Sequence, residues 1–363
     1  MNFTIHTRNA LHSIVAIILT AVFCLSARMP GVTQESSDPT VGDESTVSLQ
    51  ETEATSASIP EADVVHFIQI PAPTIALPQE TVPVEVEPAP LPIRVGVING
   101  DQMQYMNLET YILGVVLAEM PARFDEEALK AQAVAARTYT LKNCIAGYKH
   151  PDGMVCTSSA CCQAYKSPET YLAGGGKTAS VNKVLEAVLA TAGQVLVYNG
   201  KLIDAAYFSC SGGTTEDAVA VWGYDVPYLR SVESPGEADT SAYYREYLFT
   251  PEEFQKKMSV KLNDGPETWF GTVTYTEGGG VETIEIGGQF YKGTAVRSAL
   301  KLRSTMFQIH VDNGGITVSV WGLGHRVGMS QYGADAMAKG GSTYREILSH
   351  YYPGTELLIF PFP

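Results

Sequence analysis

A proline set between two helical patterns lays out residues 107–142, NLETYILGVVLAEMPARFDEEALKAQAVAARTYTLK. Leu108, Tyr111, Ile112, Val115 and Val116 recur at the i, i+3, i+4, i+7, i+8 spacing of a buried helix face. Asn107 is a capping residue at its start. Pro121 disfavours the helical conformation at Met120, so the first helix is expected to stop at about Glu119. Asp125 then caps a second helix, with Glu126 and Glu127 in its electropositive first turn and Phe124 and Leu129 at the staple positions. The alanines that fill this helix predict a neighbour packed close to its backbone. Lys130 and Arg137 lie about two turns apart along one side of it.

Glu119 thus ends an apolar helix at the negative pole of its dipole. The dipole and partial burial both disfavour an ionised carboxylate and raise its pKa. A carboxylic acid still protonated near neutral pH is what general-acid chemistry on a glycosidic oxygen requires. A solvated glutamate closing a helix is the plainer alternative, and spacing alone leaves both open.

The wording of the stretch narrows this. AEMPARFDEEALKAQAVAARTY at 118–139 resembles the signature of the stage II sporulation protein D family of peptidoglycan lytic transglycosylases. Four further blocks stand in that family's order: FSCSGGTTE, VWGYDVPYLRSVESP, LRSTMF and GHRVGMSQYGADAMAKGGSTYREILSHYYPGTEL. The resemblance runs from about Leu91 to the C-terminus. It implies that Glu119 is the catalytic acid and that Lys130 and Arg137 are functionally involved. Arg137 needs a partner wherever it is buried, either a protein carboxylate or the anionic lactyl group of a peptide-free muramyl unit.

Composition divides the rest of the chain. Residues 11–27 form a nearly charge-free apolar run of seventeen residues after Arg8, which fits a membrane anchor or a signal segment over 1–29. Phe23 is too bulky before Cys24 for a lipoprotein signal, so Cys24 is expected to be only a membrane residue. Residues 30–92 carry eleven acidic residues, ten prolines and no lysine or arginine, the composition of a disordered, extended tether. That tract holds most of the net charge of −15, so the remainder has no nucleic-acid footprint. Residues 93–363 form the globular, extracytoplasmic domain. IRVGVING reads as a strand, 181–190 as a helix, and VLVYNGKLIDAAYF as two strands about an Asn-Gly turn. From Thr272 the pattern is β, with Gly-rich turns at 277–280, 287–288 and 313–315; helices follow at 330–339 and 343–350. The polar, Tyr-rich segment 233–269 reads as a hinge. The expected fold is α+β, with the helix pair against mixed and antiparallel sheets, in two lobes around a substrate cleft.

The loop CIAGYKHPDGMVCTSSACCQAY carries a second chemical signal. His150, Cys156 and Cys162 are evenly spaced, with Cys161 beside the last. Soft nitrogen and sulfur donors suit tetrahedral zinc, whereas export favours a disulfide, and spacing leaves both open. The resemblance extends to clostridial members with a zinc on a His-Cys-Cys set. It therefore implies one structural zinc on His150, Cys156 and Cys162, with Cys161 or water as fourth ligand. Cys144 and Cys210 are expected to be small, partly buried thiols.

Ser211, Gly212 and Thr214 lie in a Gly-rich loop whose hydroxyls suit sugar oxygens, and a tight turn is the plainer reading. His325, Ser330 and Gln331 surround another such turn, and His325 and Gln331 are candidates to bind the substrate. Arg326 stands where many relatives of the family have a small residue. Trp222, Tyr224 and Tyr228 are candidates to stack on sugar faces. The resemblance implies a lytic transglycosylase acting on denuded glycan strands in engulfment during sporulation. Its partners would be a cell-wall amidase and a membrane scaffold, and its place the outer side of the cell membrane, held by a single span. A non-catalytic enhancer of an amidase is the alternative. A zinc peptidase is disfavoured, because HExxH is missing and two thiolates leave the metal little Lewis acidity.

Overall fold

The computed structural model describes residues 93–147 and 149–361. The apolar run at 11–27 and the acidic tract at 30–92 lie outside the described residues. The hairpin of β1 (Arg94–Asn99) and β2 (Gln102–Asn107) hands the chain to α1 (Leu108–Glu119). Asn107 caps α1 as expected, its Oδ1 accepting the N–H of Glu109 at 2.8 Å. The spacing suggested one apolar face, but α1 is buried nearly all round, with Leu113, Gly114 and Leu117 enclosed as well. A Cβ at Gly114 would meet the Tyr165 ring at 2.2 Å, so only glycine admits this neighbour.

α2 (Glu126–Ala146) is the rod on which α1 and several later elements pack. Asp125 caps it, accepting the Glu127 N–H at 3.0 Å, and its own N–H donates to Asp335 at 2.7 Å. Ala128, Ala131, Ala133, Ala135 and Ala136 are all fully buried, which is the close approach their size predicts. Phe124 and Leu129 are buried at the entry, and burial of each such side chain is worth about 1.5–3 kcal/mol.

β3 (Val155–Cys156) joins β1 in parallel and brings the cysteine loop to the first sheet. α3 (Pro168–Ala173) and α4 (Thr178–Ala190) follow, then β4 (Gln194–Tyr198), β5 (Lys201–Leu202), β6 (Tyr207–Phe208) and α5 (Ala218–Trp222). The turn between β4 and β5 places Asn199 and Gly200 at φ 50° and 70°, the two left-handed residues of a tight hairpin.

A second lobe with its own core is inserted next. It runs through β7 (Tyr244–Phe249), α6 (Pro251–Met258), β8 (Phe270–Tyr275), β9 (Val281–Ile286), β10 (Gln289–Lys292), α7 (Gly293–Leu300), β11 (Met306–Asp312) and β12 (Gly315–Trp321). The hinge expected at 233–269 is corrected here. Tyr244–Phe249 and Pro251–Met258 of that segment are β7 and α6, because Tyr244–Phe249 pairs residue by residue with β12 and Phe254 fills the lobe's core. The chain returns through β13 (Met329–Ser330), α8 (Gln331–Lys339), α9 (Tyr344–Tyr351) and β14 (Glu356–Ile359), which pair with β6 and β4 and pack on α2. The fold is α+β with mixed and antiparallel sheets. Among the described residues no helix is long and apolar enough to cross a membrane.

A buried ion pair fastens the two lobes. Arg326 Nη1 donates to Glu216 Oε1 at 3.0 Å, and the other nitrogens reach the carbonyls of Ser211, Thr214 and Gly278. Glu216 Oε1 in turn accepts from Thr276 Oγ1 at 2.8 Å and the Gly280 N–H at 3.1 Å. Gly278, Gly280 and Thr276 form the turn between β8 and β9, so this pair ties the second lobe's hairpin to the first.

Candidate functional site

Glu119 sits where the chain must leave α1. Met120 is already extended, with φ −124° and ψ 134°, as the following Pro121 demands. The half-buried carboxylate accepts the Ala164 N–H at 2.6 Å. Burial holds its pKa above the ordinary carboxylate value, against the opposing pull of that N–H. It opens into a cavity of about 570 Å³, within the size range of small-ligand sites.

Aromatic side chains wall this cavity. Tyr207 donates from its hydroxyl to Gln163 Oε1 at 2.9 Å, and Gln163 Nε2 donates to Thr140 at 2.8 Å. Burial first, and then the neighbouring Glu119, push the Tyr207 phenol well above its usual pKa, so it remains a hydroxyl. Trp222 stacks on Tyr224 with ring centres 6.0 Å apart, and the His325 ring lies 5.6 Å from both Trp222 and Phe208. Asp204 lines the same space and is paired with Lys142. Tyr228, by contrast, is buried outside this cavity, its hydroxyl accepting the Asp204 N–H at 3.0 Å.

His325 is held neutral. Burial, and then the charge of Arg297, push it down to about 4 from 6.5. The Val327 N–H donates to its Nδ1 at 3.1 Å, which leaves Nε2 as the protonated nitrogen. A histidine with a depressed pKa gives stability that is complete above the unfolded value and lost as pH falls through the folded one. His325→Gln should therefore flatten the loss of stability between pH 6.5 and about 4, measured by urea unfolding at several pH values.

A cluster of four donors borders the cavity. One ligand atom each from His150, Cys156, Cys161 and Cys162 lie within 4.8 Å of one another, and Cys161 Sγ is 3.3 Å from His150 Nε2. The five described cysteines are free thiols. Tetrahedral coordination with bonds near 2.3 Å places neighbouring ligands about 3.8 Å apart, so small side-chain shifts would fit the set to one metal ion. Cys161 and Cys162 both line the Glu119 cavity.

Several residues singled out in the sequence lie elsewhere. Lys130 pairs with Glu126 at 2.7 Å and Glu127 at 2.8 Å on the surface of α2. Arg137 is fully buried and its fork is occupied. It bonds both Glu109 carboxylate oxygens, the Gln194 carbonyl at 3.1 Å and the Val188 carbonyl at 3.3 Å. Its partner is thus a protein carboxylate that ties α1, α4 and β4 together. Arg137→Lys should cost on the order of 3 kcal/mol in thermal or urea unfolding, with normal activity per folded molecule.

Ser211 and Gly212 turn inward to Glu237, which sequence reasoning missed. One oxygen of Glu237 accepts the Ser211 hydroxyl at 2.7 Å and the N–H groups of Ser211 and Gly212, each at 2.9 Å. Its other oxygen accepts from Ser234 and Ser330. Thr214 gives its carbonyl to Arg326, and Gln331 bonds Gln132 at 3.3 Å. Of the residues named as sugar-binding, His325, Trp222 and Tyr224 share the cavity with Glu119. Tyr207 and Gln163 were missed, because nothing in AAYF or CCQAY marks them until the fold brings them to Glu119.

Comparison with known proteins accords with this geometry. A family model described as Stage II sporulation protein matches residues 99–198, which include α1, α2 and the cysteine loop. Stage II sporulation protein D of Bacillus subtilis (strain 168) is 39% identical over 273 residues, 74% of this chain and 79% of that one. The protein of the same name from Bacillus amyloliquefaciens is 38% identical over the same length. An Amidase enhancer of Bacillus subtilis (strain 168) is 32% identical over 297 residues, 67% of this chain but 40% of that one. On the coverage and identity of the first two, the chain belongs to the stage II sporulation protein D family.

Proposed function

We propose that this protein is a peptidoglycan lytic transglycosylase of sporulation, with Glu119 as its acid and base. The observation that carries the reading is a half-buried carboxylate of raised pKa in an aromatic-walled cavity. Protonated Glu119 gives its proton to the oxygen between muramyl and glucosaminyl units, and the C1–O bond breaks. The resulting carboxylate then takes the proton from the muramyl C6 hydroxyl as O6 bonds to C1, closing a 1,6-anhydro ring. No water is consumed and the acid is regenerated, so a second carboxylate is not required. Trp222 and Tyr224 offer ring faces to the sugar, while Tyr207, its hydroxyl donating to Gln163, forms part of the wall beside the acid.

Zinc suits the donor set, and His150, Cys156 and Cys162 would hold it. When bound it cross-links a loop that has little core of its own. A membrane segment at 11–27 and an acidic tether at 30–92 would present the domain outside the membrane, where an amidase and a membrane scaffold are its expected partners. The similarity to an amidase enhancer favours a second reading, a glycan-binding module that speeds an amidase. Incubating the protein with peptide-free glycan strands and no other enzyme separates the two. Shortened strands are expected; intact strands, together with faster stem-peptide release when the protein is added to an amidase acting on peptide-bearing strands, would establish the enhancer.

A further inference from the structure

We propose that Cys161 is the fourth protein ligand of the metal site, and that the closed site works as a clip holding the Ala164 N–H on Glu119. The inference rests on the zinc reading above and not on the glycan reaction. Both Cys161 and Cys162 have their N–H groups on the Ser158 carbonyl, at 3.1 and 2.8 Å, and this single turn carries the two thiols to the same point. Cys161 Sγ already lies 3.3 Å from His150 Nε2, so no water is needed to complete four donors. Three thiolates on a dication leave an anionic set. Lys149 sits against it, donating to the Cys161 carbonyl at 2.9 Å.

A site with four protein ligands has no open position, which makes it structural. What it holds follows from the chain beyond it. The residue after Cys162 is Gln163, whose side chain joins Tyr207 to Thr140, and the next is Ala164, whose N–H is on the Glu119 carboxylate at 2.6 Å. Anchoring Cys161 and Cys162 fixes the start of this three-residue lever. Releasing the metal frees it.

The test uses wild-type protein, so no variant has to fold. Samples loaded with zinc and stripped by a chelator are treated with iodoacetamide, and the rate at each cysteine is read by mass spectrometry. Cys161 is exposed, so access does not protect it, whereas a metal-bound thiolate is not a free nucleophile. Zinc is expected to slow alkylation of Cys161 by roughly tenfold or more, together with Cys156. Cys144, outside the cluster, should react at the same rate in both samples. Hydrogen exchange on the same samples should show the amides of 158–164 losing protection when zinc is removed, while 128–141 keep theirs. Equal alkylation of Cys161 with and without zinc would overturn the fourth-ligand assignment alone. Unchanged protection at 158–164 would overturn the clip. Protein that takes up no zinc, or carries a Cys156–Cys162 disulfide, would overturn the inference and the zinc reading together.

Discussion

Exchanging Glu119 for glutamine should lower the turnover of peptide-free glycan strands on the order of 10³-fold, the usual reach of a general acid and base. Glutamine keeps the shape and still offers an oxygen to the Ala164 N–H, so the loop contact at 2.6 Å survives while the transferable proton is lost. The change should not destabilise the fold. Burial raises the Glu119 pKa above 4.5, so the folded state binds this proton more tightly than the unfolded chain does. That contribution is complete below the unfolded value and is lost as pH rises through the folded one. At neutral pH the glutamine variant should melt at or above the wild-type temperature. A variant that melts well below wild type, and loses activity only in proportion, would make Glu119 a strut.

The largest effect on stability is expected at Arg326→Ala. Arg326 and Glu216 are 0% and 1% exposed; Arg326 is hydrogen-bonded through all three of its nitrogens, and Glu216 through Oε1. Burial holds the Glu216 carboxyl above its ordinary pKa even against the pull of Arg326, so the pair is costly to enclose. Removing one partner is costlier, because it leaves a buried charge alone. A loss of about 3–5 kcal/mol is expected in urea unfolding, a large part of the roughly 5–15 kcal/mol that holds a typical domain. Adding Glu216→Gln removes the stranded charge, so the double variant should lose clearly less than the two single losses summed. A cost below about 0.5 kcal/mol for Arg326→Ala would mean that other contacts fasten the lobes.

What could be read from residue order was local. Asn107, Pro121 and Asp125 set the ends of α1 and α2, because caps and proline act on their own neighbours. The Asn-Gly turn between β4 and β5 is likewise a two-residue matter. The partners that give the site its chemistry are distant in sequence. Arg137 finds Glu109 on the preceding helix, and Ser211 finds Glu237 twenty-six residues on. Glu119 finds Ala164 across forty-five residues. No period or motif encodes such pairs, and for that reason a Gly-rich loop with free hydroxyls in the sequence becomes an inward-facing cradle for one carboxylate. Arg326 is the sharpest case. In the sequence it was a departure from the usual small residue; in the fold it is the bolt between two lobes.

The measurement that bears most directly on Glu119 as a single acid and base is the mass of the new strand ends released from peptide-free glycan. Ring closure by O6 predicts muramyl ends lighter by one water than hydrolytic ends, from the first turnover and throughout the reaction. Ends that carry the extra water, and take up oxygen-18 from labelled solvent, would contradict it and make the protein a hydrolase.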